Sequence, residues 1–212
     1  MKFGIKILES NQVIEQAILK ALLDPVSKYM SSVITTIEHK IPSIIYESIT
    51  NADEYNSLVS GQLRLELGIP DARDKVLNLI DIWIKNIQYK YTAPKISAGK
   101  IKTSISINAI RADFGDVLNT DFAVMTDSQR GYSLPWLEWL LLDGTMPIVP
   151  NYQVRIGPNP RSRTQFAIMT QSSQAWSVPS RFAGTIADNW ITRAIESYSS
   201  QIEAGLQGAM KA

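Results

Sequence analysis

The sequence predicts an α+β fold: a small, mostly antiparallel β-sheet packed by helices, with a long N-terminal helical segment and a long C-terminal helix. Apolar residues recur at helical spacing over the first fifty residues and again after residue 185. Between these segments, alternating or β-branched runs are separated by Gly- and Pro-rich turns. With 212 residues and 45% hydrophobic content, the chain can bury a substantial core. We expect residues 1–70 to form a helical segment or arm and residues 71–212 to form the α+β core domain.

The N-terminal segment is predicted to contain two amphipathic helices separated at Asp24-Pro25. Ser10 or Asn11 can cap the first helix, whose apolar residues repeat at helical spacing: Val13, Ile14, Ala17, Ile18, Ala21 and Leu22. The second carries an apolar stripe from Tyr29 to Ile45, and Pro42 should kink it because proline lacks a backbone donor. This stripe can pack against its own chain or against a neighbouring subunit, and the sequence leaves both open.

A shorter helical region follows. The stretch EYNSLVSGQLRLELGIPD is typical of short helices ended by Gly68 and Pro70, and a stronger helix is predicted to begin at Asp71. Its apolar residues share one face: Val76, Ile80, Trp83 and Ile87. The polar residues of the same segment face elsewhere: Arg73, Asp74, Asn78, Asp81 and Lys85.

Four segments are predicted as strands. In KIKTSISINAI, Ile101, Thr103, Ile105 and Ile107 alternate with polar residues, which is typical of a half-buried strand. Residues Asp121 to Thr126 form a second candidate. Asn151 to Ile156 and Thr164 to Thr170 are joined by the Gly- and Pro-rich loop GPNPRSR, so we expect them to pair as a hairpin.

Two further helices are predicted in the C-terminal half. SLPWLEWLLLDG indicates a compact helix that Ser133 can cap, with Pro135 in its first turn. The terminal helix is expected from about Thr185, where Thr185 and Asp188 resemble a capping box. We assign four tryptophans to core and subunit packing: Trp136, Trp139, Trp176 and Trp190.

The composition excludes several classes of function. Charges are balanced at 21 Lys and Arg residues against 20 Asp and Glu residues, which argues against a protein that mainly wraps nucleic acid. The absence of cysteine excludes disulfides and thiolate chemistry, and the single histidine, His39, is expected on an exposed helix face. Phosphate-binding glycine loops are absent, so we expect no cofactor. Neither a signal peptide nor a membrane span is indicated, and we expect a soluble protein.

The carboxylates near aromatic residues do not form a convincing catalytic pair. Glu138 lies between Trp136 and Trp139, with Asp143 one turn onward. A glycosidase needs two carboxylates at a defined separation, and the sequence pairs neither residue with such a partner. We therefore expect no enzyme, with a hydrolase built on Glu138 and Asp143 as an alternative.

Arg155, Arg161 and Arg163 cluster around the tip of the predicted hairpin, with Arg181 further along the chain. A guanidinium group suits both DNA phosphates and the carboxylates of a neighbouring subunit. Plain solvation of an exposed loop is the other interpretation. The three hairpin arginines are the candidate contact residues.

Residues from about Ser133 to Ala194 carry a more specific pattern: SLPWLEWLLLDG, then NYQVRIGPNPRSRT, then AIMTQSSQAWSVPSRFAGTIADNWITRAI. This order resembles the tail-completion, or head-tail joining (neck), family of tailed bacteriophages, in which a strand and helix with aromatic residues and a Glu precede a Pro-containing loop and a terminal helix. The resemblance covers under half of the chain. The predicted helices from Glu9 to Thr50 are longer than a minimal member of the family would have.

The resemblance implies a small structural α+β protein that assembles as a homo-oligomeric ring on the portal side of the tail. Its implied partners are other copies of itself, portal or adaptor proteins and tail proteins, with transient contact to packaged DNA and none to a membrane. The implied location is the neck or tail of the virion, assembled in the host cytoplasm. A tail-terminator or minor tail protein at the end of the tail tube is the alternative.

Overall fold

The computed structural model describes residues 8–109, 113–127 and 131–211, and their fold is α+β. Along the chain, a long N-terminal helix comes first and a C-terminal helical segment comes last, with two-stranded antiparallel sheets and short helices between them. The elements are α1 Asn11–Thr50, α2 Asp53–Ser60, α3 Gln62–Glu66, α4 Ala72–Lys85, β1 Gln88–Ser97, β2 Lys100–Asn108, α5 Gly115–Leu118, β3 Met125–Asp127, β4 Tyr132–Leu134, α6 Trp136–Leu141, β5 Tyr152–Ile156, β6 Ala167–Gln171, α7 Trp190–Ser197 and α8 Ser199–Ala209.

Helix α1 is continuous over 40 residues, so the predicted separation at Asp24-Pro25 is wrong. Proline removes one helical hydrogen bond, but its fixed φ is compatible with a helix, and the turns on either side continue through Pro25 and Pro42. Ser10 caps the helix as predicted, and its hydroxyl accepts a hydrogen bond from the Val13 amide at 3.4 Å. At 1.5 Å per residue, the helix is about 60 Å long.

The core lies along the second half of α1. Its buried residues repeat every four positions and contact the β1–β2 hairpin and helices α4, α7 and α8: Val33, Ile37, Ile41, Ile45 and Ile49. Strand β2 alternates half-buried and exposed residues as predicted. Helix α4 buries Val76, Ile80 and Trp83 and exposes the polar residues predicted to face elsewhere. Buried residues from both sides of position 70 belong to one hydrophobic cluster. The division of the chain at residue 70 into an N-terminal helical segment and an α+β core domain stays a prediction.

Tryptophans join the C-terminal half to this core, which confirms their predicted core packing, whereas their subunit packing stays a prediction. Trp136 and Trp190 are fully buried, Trp176 is buried, and Trp139 is half-buried against the same cluster. Trp190 packs edge-to-face on Trp83, with ring centroids 6.0 Å apart, and Trp139 packs in the same way on Trp176 at 6.1 Å. Such pairs combine a large buried area with a favoured ring geometry.

The predicted hairpin at residues 151–171 is confirmed, with β5 and β6 antiparallel, but the second strand begins at Ala167. The strand predicted from Asp121 is wrong over its first four residues, because β3 begins only at Met125. Ser133 belongs to strand β4, where it is paired with Thr126, so it does not cap α6. Helix α6 instead starts after Pro135.

The terminal helical segment starts five residues later than predicted and has a break. Asn189, not Thr185, caps α7, and Thr192 completes a capping box by accepting a hydrogen bond from the Asn189 amide. Thr185 and Asp188 do bond to each other, in a turn that precedes the helix. Tyr198 separates α7 from α8. The Asn189 side chain is fully buried, and this burial fixes the cap at Asn189.

Candidate interaction surfaces

The first surface is the N-terminal part of α1, residues 11–28, which we call the arm. None of its residues is buried, whereas the buried positions of α1 begin only at Val33. Val13, Ile18 and Leu22 are 52%, 53% and 45% exposed. An apolar helix face left open in this way is typical of an interaction site.

The apolar face of the arm continues into the body of the protein. One row follows a four-residue spacing, which keeps its members adjacent along the helix: Ile14, Ile18, Leu22, Val26 and Met30. Beside the end of this row, the Tyr29 hydroxyl donates a hydrogen bond to the Met210 carbonyl at the end of α8. The arm therefore leaves the body close to the point where α1 and α8 meet.

The second surface is an apolar groove of about 610 Å³ between α1, β2, α7 and α8, which we call the α1–α8 groove. None of the described residues that line it is charged: Met30, Ile37, Ile41, Ile45, Thr103, Ser104, Ile105, Ile107, Ala109, Ile195, Ile202, Leu206 and Met210. Helices α1 and α8 approach closely near this groove. A Cβ atom on Gly205 of α8 would lie only 2.9 Å from Cδ1 of Ile44 on α1.

The third surface is the tip of the β5–β6 hairpin, where the predicted contact residues lie. Arg161 and Arg163 both line a pocket of about 660 Å³, whose other walls include Trp139 and Trp176. Arg155 lies on β5, is exposed and does not line this pocket. The structure therefore brings two of the three arginines to one cavity and leaves the third on the outer face of the strand.

Arg181, which the sequence places near these arginines, belongs to a different surface. Its guanidinium donates a hydrogen bond to Gln62 and lies 4.3 Å from the ring centroid of Phe182. It lines a third cavity of about 720 Å³ together with Glu54 and Arg193. Arg181 thus lines a different cavity from Arg161 and Arg163.

Two residues that line this third cavity, Glu54 and Arg193, form an ion pair that the sequence did not predict. Arg193 Nη2 lies 2.7 Å from Oε1 of the buried Glu54, and Nη1 lies 2.9 Å from Oδ1 of Asp188. Burial alone would lower the pKa of Arg193, but hydrogen bonds to Glu54 and Asp188, together with their charges, raise that pKa above its ordinary value. The pair ties α2 to α7 across 139 positions of sequence, a separation at which no local pattern signals a contact.

The residues considered for catalysis lie outside the cavities. Glu138 is exposed and Asp143 is half-buried, and neither lines any of the three cavities described above. His39 is exposed on α1, as predicted. Within residues 8–109, 113–127 and 131–211, no group of three or more acidic or histidine side chains is arranged to hold a metal ion.

Comparisons with known proteins add no relative. The chain matches no family model, no curated protein and no solved structure. Across the part of the chain that the structure describes, none of the helices has both the length and the hydropathy needed to cross a membrane. The three surfaces and the sequence pattern therefore carry the functional argument.

Proposed function

We propose that this chain is a structural virion protein at the head-tail junction of a tailed bacteriophage, namely a neck, connector or tail-completion protein. It assembles as a homo-oligomeric ring through protein-protein contacts and is not an enzyme. The observation that carries this proposal is the arm, an apolar helix face that the chain's own core leaves uncovered. The resemblance of residues 133–194 to the tail-completion family adds the virion setting.

The energetics of the arm favour association. Fully burying a side chain such as Leu or Ile gains about 1.5–3 kcal/mol, so covering the open half of each of Val13, Ile18 and Leu22 gains roughly 1 kcal/mol per side chain. Most of the stability of a helix in a protein comes from packing of its apolar face, so a partner on that face would stabilise the arm. In a closed ring, every copy would bury the same face, so no subunit would keep it exposed.

The remaining surfaces fit partners of the same assembly. Portal or adaptor proteins would meet the ring on its head side and tail proteins on the other, with the virion neck or tail as its location after assembly in the host cytoplasm. The arginines of the hairpin, Arg155, Arg161 and Arg163, suit carboxylates of a neighbouring protein or phosphates of packaged DNA. The proposal includes no membrane contact.

The arm gives the first test. We expect the purified protein to run as an oligomer in size-exclusion chromatography with light scattering, and the Ile18→Glu/Leu22→Glu variant to run as a monomer, because two charges would enter an apolar contact. Gln12→Glu/Gln16→Glu adds the same charge to exposed polar positions of the arm and should remain an oligomer. A native chain that is monomeric at micromolar concentration would contradict the proposal.

The position in the particle gives a second readout of the same proposal. Electron cryomicroscopy of the virion should place a ring of this chain between the portal and the tail tube. Density at the far end of the tail tube would instead identify a tail-terminator or minor tail protein. A chain absent from the particle would contradict a structural role of either kind.

The hairpin gives an independent prediction. We expect replacement of Arg155, Arg161 and Arg163 by Gln to leave the chain folded, because none of the three belongs to the buried core. The same variant should lower the yield of filled particles, measured as packaged DNA per virion. Arg73→Gln, on the exposed face of α4, is the control. Unchanged assembly and DNA retention would remove any functional role from the hairpin arginines.

A further inference from the structure

The arm and the α1–α8 groove lie on the same helix, yet they cannot meet within one chain. The arm occupies residues 11–28 of α1, and the same helix lines the groove from Met30 to Ile45. Because α1 is continuous through both parts, the arm points along the helix axis and cannot fold back onto the groove beside it. Among the described residues, each chain therefore has an apolar row and an apolar groove that cannot cover each other.

We propose that the arm of one copy lies in the α1–α8 groove of the next copy, and that this contact closes the ring. The inference rests on the self-association in the proposed function and adds the identity of the two surfaces that meet. The row from Ile14 to Val26 enters a groove whose described lining is apolar or uncharged. The occupant of the groove in this proposal is a second copy of this chain.

The dimensions of the two surfaces match. The row from Ile14 to Val26 spans about 18 Å along the helix. The floor of the groove on α1 runs for about 22 Å, from the half-buried Met30 to the buried Ile45. An apolar helix face laid into an apolar groove is a recurring mode of recognition.

The charges also favour a second copy over nucleic acid. The arm carries two acidic and two basic residues and is neutral overall: Glu15, Lys20, Asp24 and Lys28. The groove has no charged residue among those that line it in the described chain. Neither surface repels an identical molecule, and neither offers the excess positive charge that phosphate binding requires.

The pairing of two different surfaces fixes the kind of assembly. The arm and groove form a heterologous contact, in which each copy gives one surface to one neighbour and receives the other surface from the opposite neighbour. A contact of this kind generates a closed ring when the rotation per subunit divides a full turn. Arm-to-arm packing would use the same surface on both copies, so it would give dimers or bundles instead.

Cross-linking between single cysteines tests the contact directly, because the native chain has no cysteine. Ile18→Cys marks the arm and Leu206→Cys marks the groove. We expect an equal mixture of the two variants, one with an affinity tag, to give mainly mixed dimers with a short bismaleimide. Gln16→Cys lies on the opposite face of the arm and should give few mixed dimers with Leu206→Cys.

A charge in the groove provides a second measurement that does not depend on cross-linking. Met210 lines the groove and is 51% exposed, so Met210→Lys should leave the melting temperature nearly unchanged. We expect this variant to raise the dissociation constant of the oligomer by about tenfold or more, because a lysine would be buried without a partner. Gln201→Lys, which is exposed on α8 and does not line the groove, should leave the constant unchanged.

The outcomes separate the two proposals. Mixed dimers together with weaker association of Met210→Lys support the arm-in-groove contact. An oligomer in which Ile18→Cys links only to Ile18→Cys of another copy, or to neither position, overturns the contact and leaves the ring in place. A native chain that stays monomeric overturns both.

Discussion

We expect Arg193→Met to lower the free energy of unfolding by about 2 kcal/mol, because it removes the charged hydrogen-bond donor of the buried Glu54 from a partly exposed position. Glu54 is 7% exposed, and its Oε1 accepts hydrogen bonds from both Nε and Nη2 of Arg193. Arg193 also holds Asp188, next to the residue that caps α7. Urea denaturation monitored by tryptophan fluorescence measures the change in the free energy of unfolding.

Two variants give the controls for this prediction. Arg181→Met removes an exposed arginine that lines the same cavity and bonds to the neutral Gln62, and it should cost under about 1 kcal/mol. Glu54→Gln/Arg193→Met should recover part of the loss, since the buried charge is gone from both sides. A cost for Arg193→Met no larger than that of Arg181→Met would contradict a stabilising role for the pair.

The pKa of Arg193 also sets the pH range of this contribution. Its folded-state pKa is raised above the ordinary value, so the stability linked to its proton is fully present below the unfolded-state pKa. It is lost only as the pH rises through the raised pKa. The difference between the native chain and Arg193→Met that arises from this proton should therefore stay constant from neutral to moderately alkaline pH.

The elements that the sequence predicted correctly are those with strong local periodicity. The face of α4, the alternation of β2 and the β5–β6 hairpin each depend on residues within about twenty positions of one another. The wrong boundaries lie at Pro25, where α1 continues through a proline, and before α7, where Asn189 and not Thr185 caps the helix. Tertiary packing decides such boundaries, and packing is not local.

The surfaces were less predictable than the elements. The apolar row of α1 is visible in the sequence, but no pattern says that its burial begins only at Val33. Arg161 and Arg163 were predicted at a hairpin tip, whereas the pocket they line needs Trp176, which is positioned by a bridge to Val149. The contact of Arg193 with Glu54 joins segments 139 positions apart. Hydrophobic periodicity and turn residues describe only neighbouring positions, so they do not predict contacts at such separations.

We expect Gly184→Ala to lower the free energy of unfolding by about 3 kcal/mol, at the upper end of the usual cost of overpacking. A Cβ atom at this position would lie 2.6 Å from Cβ of Asn189 and 2.7 Å from the Leu140 carbonyl oxygen. Neither atom can rotate away, since one is a backbone oxygen and the other is fixed to the backbone of a fully buried residue. The Gly184 carbonyl also accepts a hydrogen bond from the Gly144 amide at 2.8 Å, which further limits movement.

The loss should be traceable to the start of α7, because the side chain that the new methyl group displaces is the cap. Asn189 Oδ1 accepts hydrogen bonds from the amides of Ile191 at 3.1 Å and Thr192 at 3.3 Å. Its displacement would move Trp190, so the near-ultraviolet circular dichroism of the edge-to-face pair with Trp83 should weaken along with stability.

Gly157→Ala is the matched control for the same chemical change. No atom lies within 4 Å of a Cβ atom built on Gly157, and its φ does not require glycine. That variant should therefore change stability by less than about 0.5 kcal/mol. Equal stability of the Gly184 and Gly157 variants would contradict the prediction. It would mean that α6 and the cap of α7 can move apart to accept a methyl group at Gly184.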